Sequence, residues 1–181
     1  IEEASQRYPW PSARPLIVHA QTARFDQILR MKKLGATPSF YSAHTYYWGD
    51  RHASIFLGPE RAASISPAKW AVDSGLRYAS HMDAPVTPML PLQAMWSQIF
   101  RQSKTGAVIG SKQRVDRVSA LRALTIDAAW QAFMDDKLGS LEPGKEADLI
   151  ILSGNPLEAI DPRTLQVERT IISGATAYSR R

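Results

Sequence analysis

The 181-residue sequence contains no cysteine. That excludes disulfide staples and thiolate ligands, so any metal held by this chain must be held by imidazole and carboxylate; it says little about compartment. Long apolar runs are also missing. No stretch of roughly 18 or more apolar residues is available to cross a bilayer. The opening Ile1-Glu2-Glu3-Ala4 has neither the basic region nor the apolar region of a secretory signal. These absences predict a chain that is soluble as it stands and has no membrane partner, with the cytoplasm favoured and export left open. An initiator Met is lacking too, and the first residues read like the middle of a helix.

What is present describes a globular protein: 44% hydrophobic and 22% charged residues, with a formal net charge of +5. The length allows one sizeable domain or one and a half small ones. The positive charge raises the question of nucleic acid. The basic residues are dispersed, however, with Lys32-Lys33 and Arg180-Arg181 the only adjacent pairs, and no aromatic-basic interleaving offers a stacking platform. No nucleic-acid partner is expected.

Two short apolar runs end in metal-capable side chains, Leu16-Ile17-Val18-His19 and Leu76-Arg77-Tyr78-Ala79-Ser80-His81-Met82-Asp83. Such runs resemble buried parallel strands delivering side chains to the rim of a sheet or barrel. Between them, Thr22 is a candidate N-cap for a helix with Phe25, Ile28 and Leu29 at helical spacing, closed by Gly35. Ala36 to Ala43 reads as a second strand ending at His44. The stretch Thr45 to Pro59 shows neither period and reads as a long aromatic loop. Helical segments follow near Pro59 and from Pro67 to Gly75. Strands alternating with helices predict a parallel sheet with crossovers.

Beyond Asp83 the chain is too proline-rich for regular structure until Leu92, Met95, Trp96 and Ile99 recur at helical spacing. Val118, Leu121, Thr125, Ala128 and Ala132 form another stripe, which a cap at Thr125 could interrupt. Gly139 to Asp148 is a turn signature between strand-like segments, with Pro143-Gly144 suited to the centre of a type II turn. Leu149 to Leu152, Val167 to Ser173 and the residues after Gly174 read as strands. A boundary near Met134 is expected, with a mixed α/β region (1–135) followed by a small all-β lobe (136–181).

Four histidines occur: His19, His44, His52 and His81. Each has an ordinary reading as a hydrogen-bonded structural histidine. Three at predicted strand ends, together with Asp83, argue for a site. Asp83 either braces the proline-rich loop or ligates a divalent metal and accepts a proton from its water. Tyr46, Tyr47 and Trp48 are either a pocket wall or packing. Asp50, Arg51 and His52 are assigned to bracing the loop.

The pieces Val18-His19-Ala20-Gln21, Ala43 to Asp50, His81-Met82-Asp83-Ala84-Pro85-Val86 and Gly139 to Leu149 resemble, in this order, the C-terminal part of the amidohydrolase superfamily. Within it the chain is similar to the amidohydrolase 3 group of YtcJ-like and N-substituted formamide deformylase-like enzymes. The resemblance implies an α/β fold: the C-terminal portion of a metal-dependent TIM barrel, about strands six to eight, plus part of a small β-sandwich lobe. It implies His19 as a metal ligand on the sixth strand and Asp83 as the catalytic, metal-contacting aspartate of the eighth. His44 would contact substrate, and Tyr46, Trp48 and His81 are assigned to the same substrate pocket.

The implied activity is cleavage of an amide-like C–N bond of a small-molecule substrate by metal-activated water, with zinc as the expected ion. The family's His-x-His pair, its lysine or glutamate and its fifth-strand histidine have no counterpart in these residues. Set against a barrel of ~250 residues, the chain is therefore expected to be a fragment, inactive alone, that pairs with the N-terminal part of the enzyme or with another copy. The rival expectation is a non-catalytic binding or assembly module with a degenerate site.

Overall fold

The computed structural model describes residues 1–181 and has an α/β architecture. In chain order the elements are α1 (Glu2–Arg7), β1 (Leu16–His19), α2 (Phe25–Lys33), β2 (Thr37–Phe40), α3 (His44–Arg51), a π-helical turn (His52–Phe56), α4 (Gly58–Ala62), α5 (Ala68–Ser74), β3 (Ala79–Ser80), α6 (Pro91–Phe100), α7 (Arg117–Arg122), α8 (Ile126–Gln131), β4 (Leu149–Leu152), β5 (Val167–Ile172) and β6 (Ala175–Ser179). Short 3-10 turns occupy Ser111–Gln113 and Pro162–Thr164.

The first three strands form a parallel sheet in the order β1-β2-β3, with Leu16 opposite Thr37 and Ser39 opposite Ala79. Parallel neighbours need crossover connections, and α2 and the α3–α5 run supply them. All of β2 is buried. The apolar faces of the helices close over this sheet: Ile28 and Met31 from α2, Ala68 and Ala71 from α5, Met95 from α6 and Ala120 from α7 meet Phe40 and Tyr78 in one core. Crossover helices that bury a parallel sheet read in sequence as this alternation of apolar runs and stripes.

The last three strands form a separate antiparallel sheet, β4-β5-β6. It is tied to the helical layer by cations. Arg163 lies over the Trp96 ring of α6, 3.7 Å from its centroid, and Arg117 reaches the Pro156 carbonyl. Nearer the junction, Arg14 pairs with Asp135 at 2.8 Å and, with Arg77, flanks the Trp130 ring.

Several local expectations change. Helix α2 begins at Phe25 with Arg24 as its N-cap, not Thr22, and the Gln27 side chain accepts from the Arg24 backbone N–H. Strand β2 ends at Phe40, four residues before His44. β3 is only two residues long; on its far edge, away from β2, the Ser80 N–H donates to the Ala123 carbonyl. The expected aromatic loop is a helix followed by a π turn. The turn near Pro143-Gly144 forms, with Gly144 at φ 94 and the Lys145 N–H donating to the Glu142 carbonyl. Its upstream neighbour is helix α8 and not a strand. The Val118–Ala132 stripe does divide at Thr125, into α7 and α8. Asp116 caps α7 by accepting from the Ser119 N–H.

Candidate metal centre

Parallel strands bring their C-terminal ends to one side of a sheet, and this chain places His19 at the end of β1 and His81 one residue beyond β3. His19 Nδ1 and His81 Nε2 are 2.9 Å apart, and the two rings stack with centroids 4.9 Å apart. An Asp83 carboxylate oxygen lies 4.0 Å from His19 Nε2. Donor atoms of His19, His81 and Asp83 all fall within 4.8 Å of one another.

The backbone that presents them is unusual. His19 (φ 63), Ala20 (φ 41) and Asp83 (φ 55) sit in the left-handed region, where a non-glycine residue costs on the order of 1–2 kcal/mol. Such conformations persist only where the surroundings over-determine them, and they cluster at functional sites. Two hydrogen-bond paths hold the turns. The Tyr41 hydroxyl donates to Thr87 Oγ1, which donates to the Met82 carbonyl beside Asp83. On the other side, the Ser66 N–H donates to the Gln21 carbonyl, two residues beyond His19.

The donor set suits a divalent metal. Two imidazoles and a carboxylate are the ligands left to a cysteine-free chain. Ser39 Oγ lies 2.9 Å from His81 Nδ1; in the tautomer whose Nδ1–H donates to it, the Nε2 lone pair faces His19 and the cluster, the arrangement an outer partner gives a metal-ligating histidine. Burial pushes the His81 pKa down, with His19 adding to the effect and Asp83 opposing it. His81 is thus neutral, the state a ligand requires.

His44 opens α3 rather than closing a strand. The helix puts His44 and Trp48, and then His52 in the π turn, on one face. His44 is enclosed by Tyr41 (centroids 4.2 Å apart), Trp48 (5.6 Å), His19 (5.7 Å) and His52 (5.8 Å). Burial, reinforced by His52, His19 and His81, pushes its pKa down to about 3. Its Nδ1 is buried with no partner. Burial also pushes His52 down, and the Gln21 side-chain amide holds His52 Nε2 at 2.9 Å.

The structure therefore brings together His19, His81, Asp83, His44 and Trp48. Tyr46 lies elsewhere: its ring packs on Trp96, 5.7 Å away, and faces Arg163. Two positions along a helix turn a side chain to nearly the opposite face, so Tyr46 and Trp48 could share a pocket wall only in the loop that did not form. His52 and Gln21 join the cluster although the sequence reading left them out; the spacing of His44, Trp48 and His52 was the signal. Asp50, expected to brace an aromatic loop, sits in helix α3 and fastens the turn at Ser103 and Thr105 instead, accepting from both hydroxyls, which hold its carboxyl below the usual range.

A sequence profile of the amidohydrolase family matches residues 1–178, and the chain belongs to that family. N-substituted formamide deformylase of Arthrobacter pascens is 29% identical over 164 residues, covering 90% of this chain and 30% of that protein. The amidohydrolase YtcJ of Bacillus subtilis is 26% identical over 99% of this chain and 35% of its own length. Among solved structures, a metal-dependent hydrolase of Pyrococcus horikoshii superposes with a TM-score of 0.74 at 23% identity, covering 91% of this chain and 33% of that one. That likeness concerns the fold. The chain spans about a third of the length of the curated relatives it matches.

Proposed function

We propose that these residues are part of a metal-dependent hydrolase that cleaves an amide-like C–N bond. The observation that carries the reading is the convergence of His19, His81 and Asp83 donor atoms within 4.8 Å at the C-terminal ends of parallel strands. The parallel sheet corresponds in this reading to barrel strands six to eight, residues 1–135 to part of a TIM barrel, and residues 136–181 to part of a β-sandwich lobe. Further ligands come from parts of the longer protein, consistent with the third of its relatives' length that the chain spans.

His19 and Asp83 would hold the ion, with His81 beside them, and the nitrogen and oxygen donors favour zinc. A divalent metal bound there supplies a water of lowered pKa and polarises the substrate carbonyl. The Asp83 carboxylate accepts the proton of the attacking water and passes it to the leaving nitrogen, which makes the amine a better leaving group. His44, neutral and enclosed, offers a polar edge to the substrate between the Tyr41 and Trp48 rings. Tyr46 serves instead to pack α3 against α6.

The test is Asp83→Asn in the full-length protein. Asn tolerates the left-handed backbone found at this position, so the fold and its near-ultraviolet circular dichroism stay unchanged. Loss of a general base costs on the order of 10²–10⁴ in turnover, and full activity against amide substrates in this variant overturns the reading.

A further inference from the structure

Arg101 follows α6, at φ 51, and is one of the largest fully buried side chains, with 2% of its surface exposed. Its guanidinium hydrogen-bonds only to backbone carbonyls: Nε to Ile109 at 2.7 Å, Nη1 to Ser66 at 3.2 Å and Nη2 to Ile65 at 2.7 Å. Burying a cation without a carboxylate partner is costly. A side chain that only filled space would be apolar, so the planar fork is there to fasten separate chain segments together.

What it fastens is informative. Ser66, itself at φ 47, is buried. Its N–H donates to the Gln21 carbonyl at 2.7 Å, holding the turn that follows His19. Its hydroxyl donates to the Tyr41 carbonyl at 3.3 Å, and Tyr41 reaches through Thr87 to the Met82 carbonyl beside Asp83. Of the seven non-glycine residues with positive φ, Ser66 and Arg101 lie on this path, and His19, Ala20 and Asp83 lie within two residues of the carbonyls it holds.

The loop after Arg101 is seated against the same backbone. A Cβ on Gly110, at φ 69, would come within 1.6 Å of the Ala63 carbonyl oxygen. Ile109 lies so close to α3 that a Cβ on Gly49 would meet it at 2.7 Å.

We propose that Arg101 is a remote positioning residue for the metal centre: its buried guanidinium clamps Ile65-Ser66, and Ser66 holds the two turns that present His19 and Asp83. Strained conformations at a ligand site need such over-determination from outside the site. The inference rests on the metal-centre reading given above.

The experiment uses the full-length protein and measures zinc affinity by chelator competition, alongside the visible spectrum of the cobalt(II)-substituted form. Arg101→Met should weaken zinc binding by about 10–100-fold, the range seen when outer partners of metal ligands are lost, and should alter the cobalt spectrum. Ile28→Val, a core change in α2, should lower thermal stability while leaving zinc affinity within about twofold. Zinc affinity and a cobalt spectrum unchanged in Arg101→Met overturn the proposal.

If Arg101→Met does not fold, Ser66→Gly serves in its place. It allows the positive φ, removes the hydroxyl link to Tyr41 and frees the backbone, and unchanged zinc affinity in it overturns the proposal equally. A parent protein that binds no zinc overturns the metal reading instead. The clamp is then read from hydrogen exchange at the Ser66 N–H, which donates to Gln21, and at the Ala23 N–H, which donates to the Ala20 carbonyl within the turn after His19: faster exchange in Arg101→Lys supports it, and unchanged exchange overturns it.

Discussion

The two sheets of this chain are built on opposite principles. β2 is buried along its whole length, and the helices around it bury Phe40, Tyr78 and Met95 in one core. In residues 136–181, by contrast, Pro162 alone is buried, and β4 to β6 expose Ile150, Ile151, Ile172 and Tyr178. The parallel sheet obtains its stability from packing and can therefore hold strained residues such as His19 and Asp83 at its rim. The antiparallel sheet rests on its hydrogen-bond ladders, on the Arg163 contact with Trp96 of α6 and on Arg117 of α7 reaching the Pro156 carbonyl. Precise side-chain geometry accordingly sits where the backbone is over-determined, and residues 136–181 contribute none of the clustered donors His19, His81 and Asp83.

The largest expected effect tests this contrast directly. Phe40→Ala should cost ~3–5 kcal/mol in urea denaturation of the full-length protein, the range for a fully buried aromatic, whereas Ile172→Ala should cost less than ~1 kcal/mol. Equal losses at the two positions would erase the distinction.

Metal removal comes next. Zinc at one hundred times its dissociation constant should stabilise the protein by ~2.7 kcal/mol, and chelation should remove that stabilisation. Hydrogen exchange should localise the change to β1–β3 and the turns at His19 and Asp83. An equal change in β4–β6 would show that the two sheets unfold as one unit.

The smallest effect concerns the link between the regions. Arg163→Ala should cost ~0.5–2 kcal/mol through loss of its contact with Trp96. The hydrogen bond from Arg163 holds the Asp161 carboxyl below the usual carboxylate range. Its stabilising contribution is therefore present above the ordinary carboxyl value of about 4 and fades as the pH falls through the lower, folded value. Trp96 fluorescence should register this acid transition, and Asp161→Asn should abolish it.

Much of the α/β order was legible in the sequence. The runs Leu16–His19 and Leu149–Leu152, the Gly75 cap and the break at Thr125 all follow from periodicity and from local backbone chemistry. The stretch after His44 was not legible. Tyr, Trp and a central Gly are indifferent or poor helix formers, and α3 forms because its faces pack on Tyr41, Trp96 and Ile109. Gly49 illustrates the point: in sequence it reads as a helix breaker, yet the close approach of Ile109 leaves no room there for a Cβ. The same helix moved Tyr46 away from Trp48 and brought His52 to His44.

The sequence by itself determined that the chain is α/β, that it can offer a metal only nitrogen and oxygen donors, and that His19 and Asp83 end apolar runs. Those properties depend on residue type and short-range spacing. Tertiary structure alone decided that His81 meets His19, that His44 is enclosed and neutral, and that Arg101 is buried beneath the turns. The first and the last join residues tens of positions apart, and the second depends on helix α3, which forms because its faces pack; parallel strand pairing and core packing set these approaches, and short-range spacing alone does not.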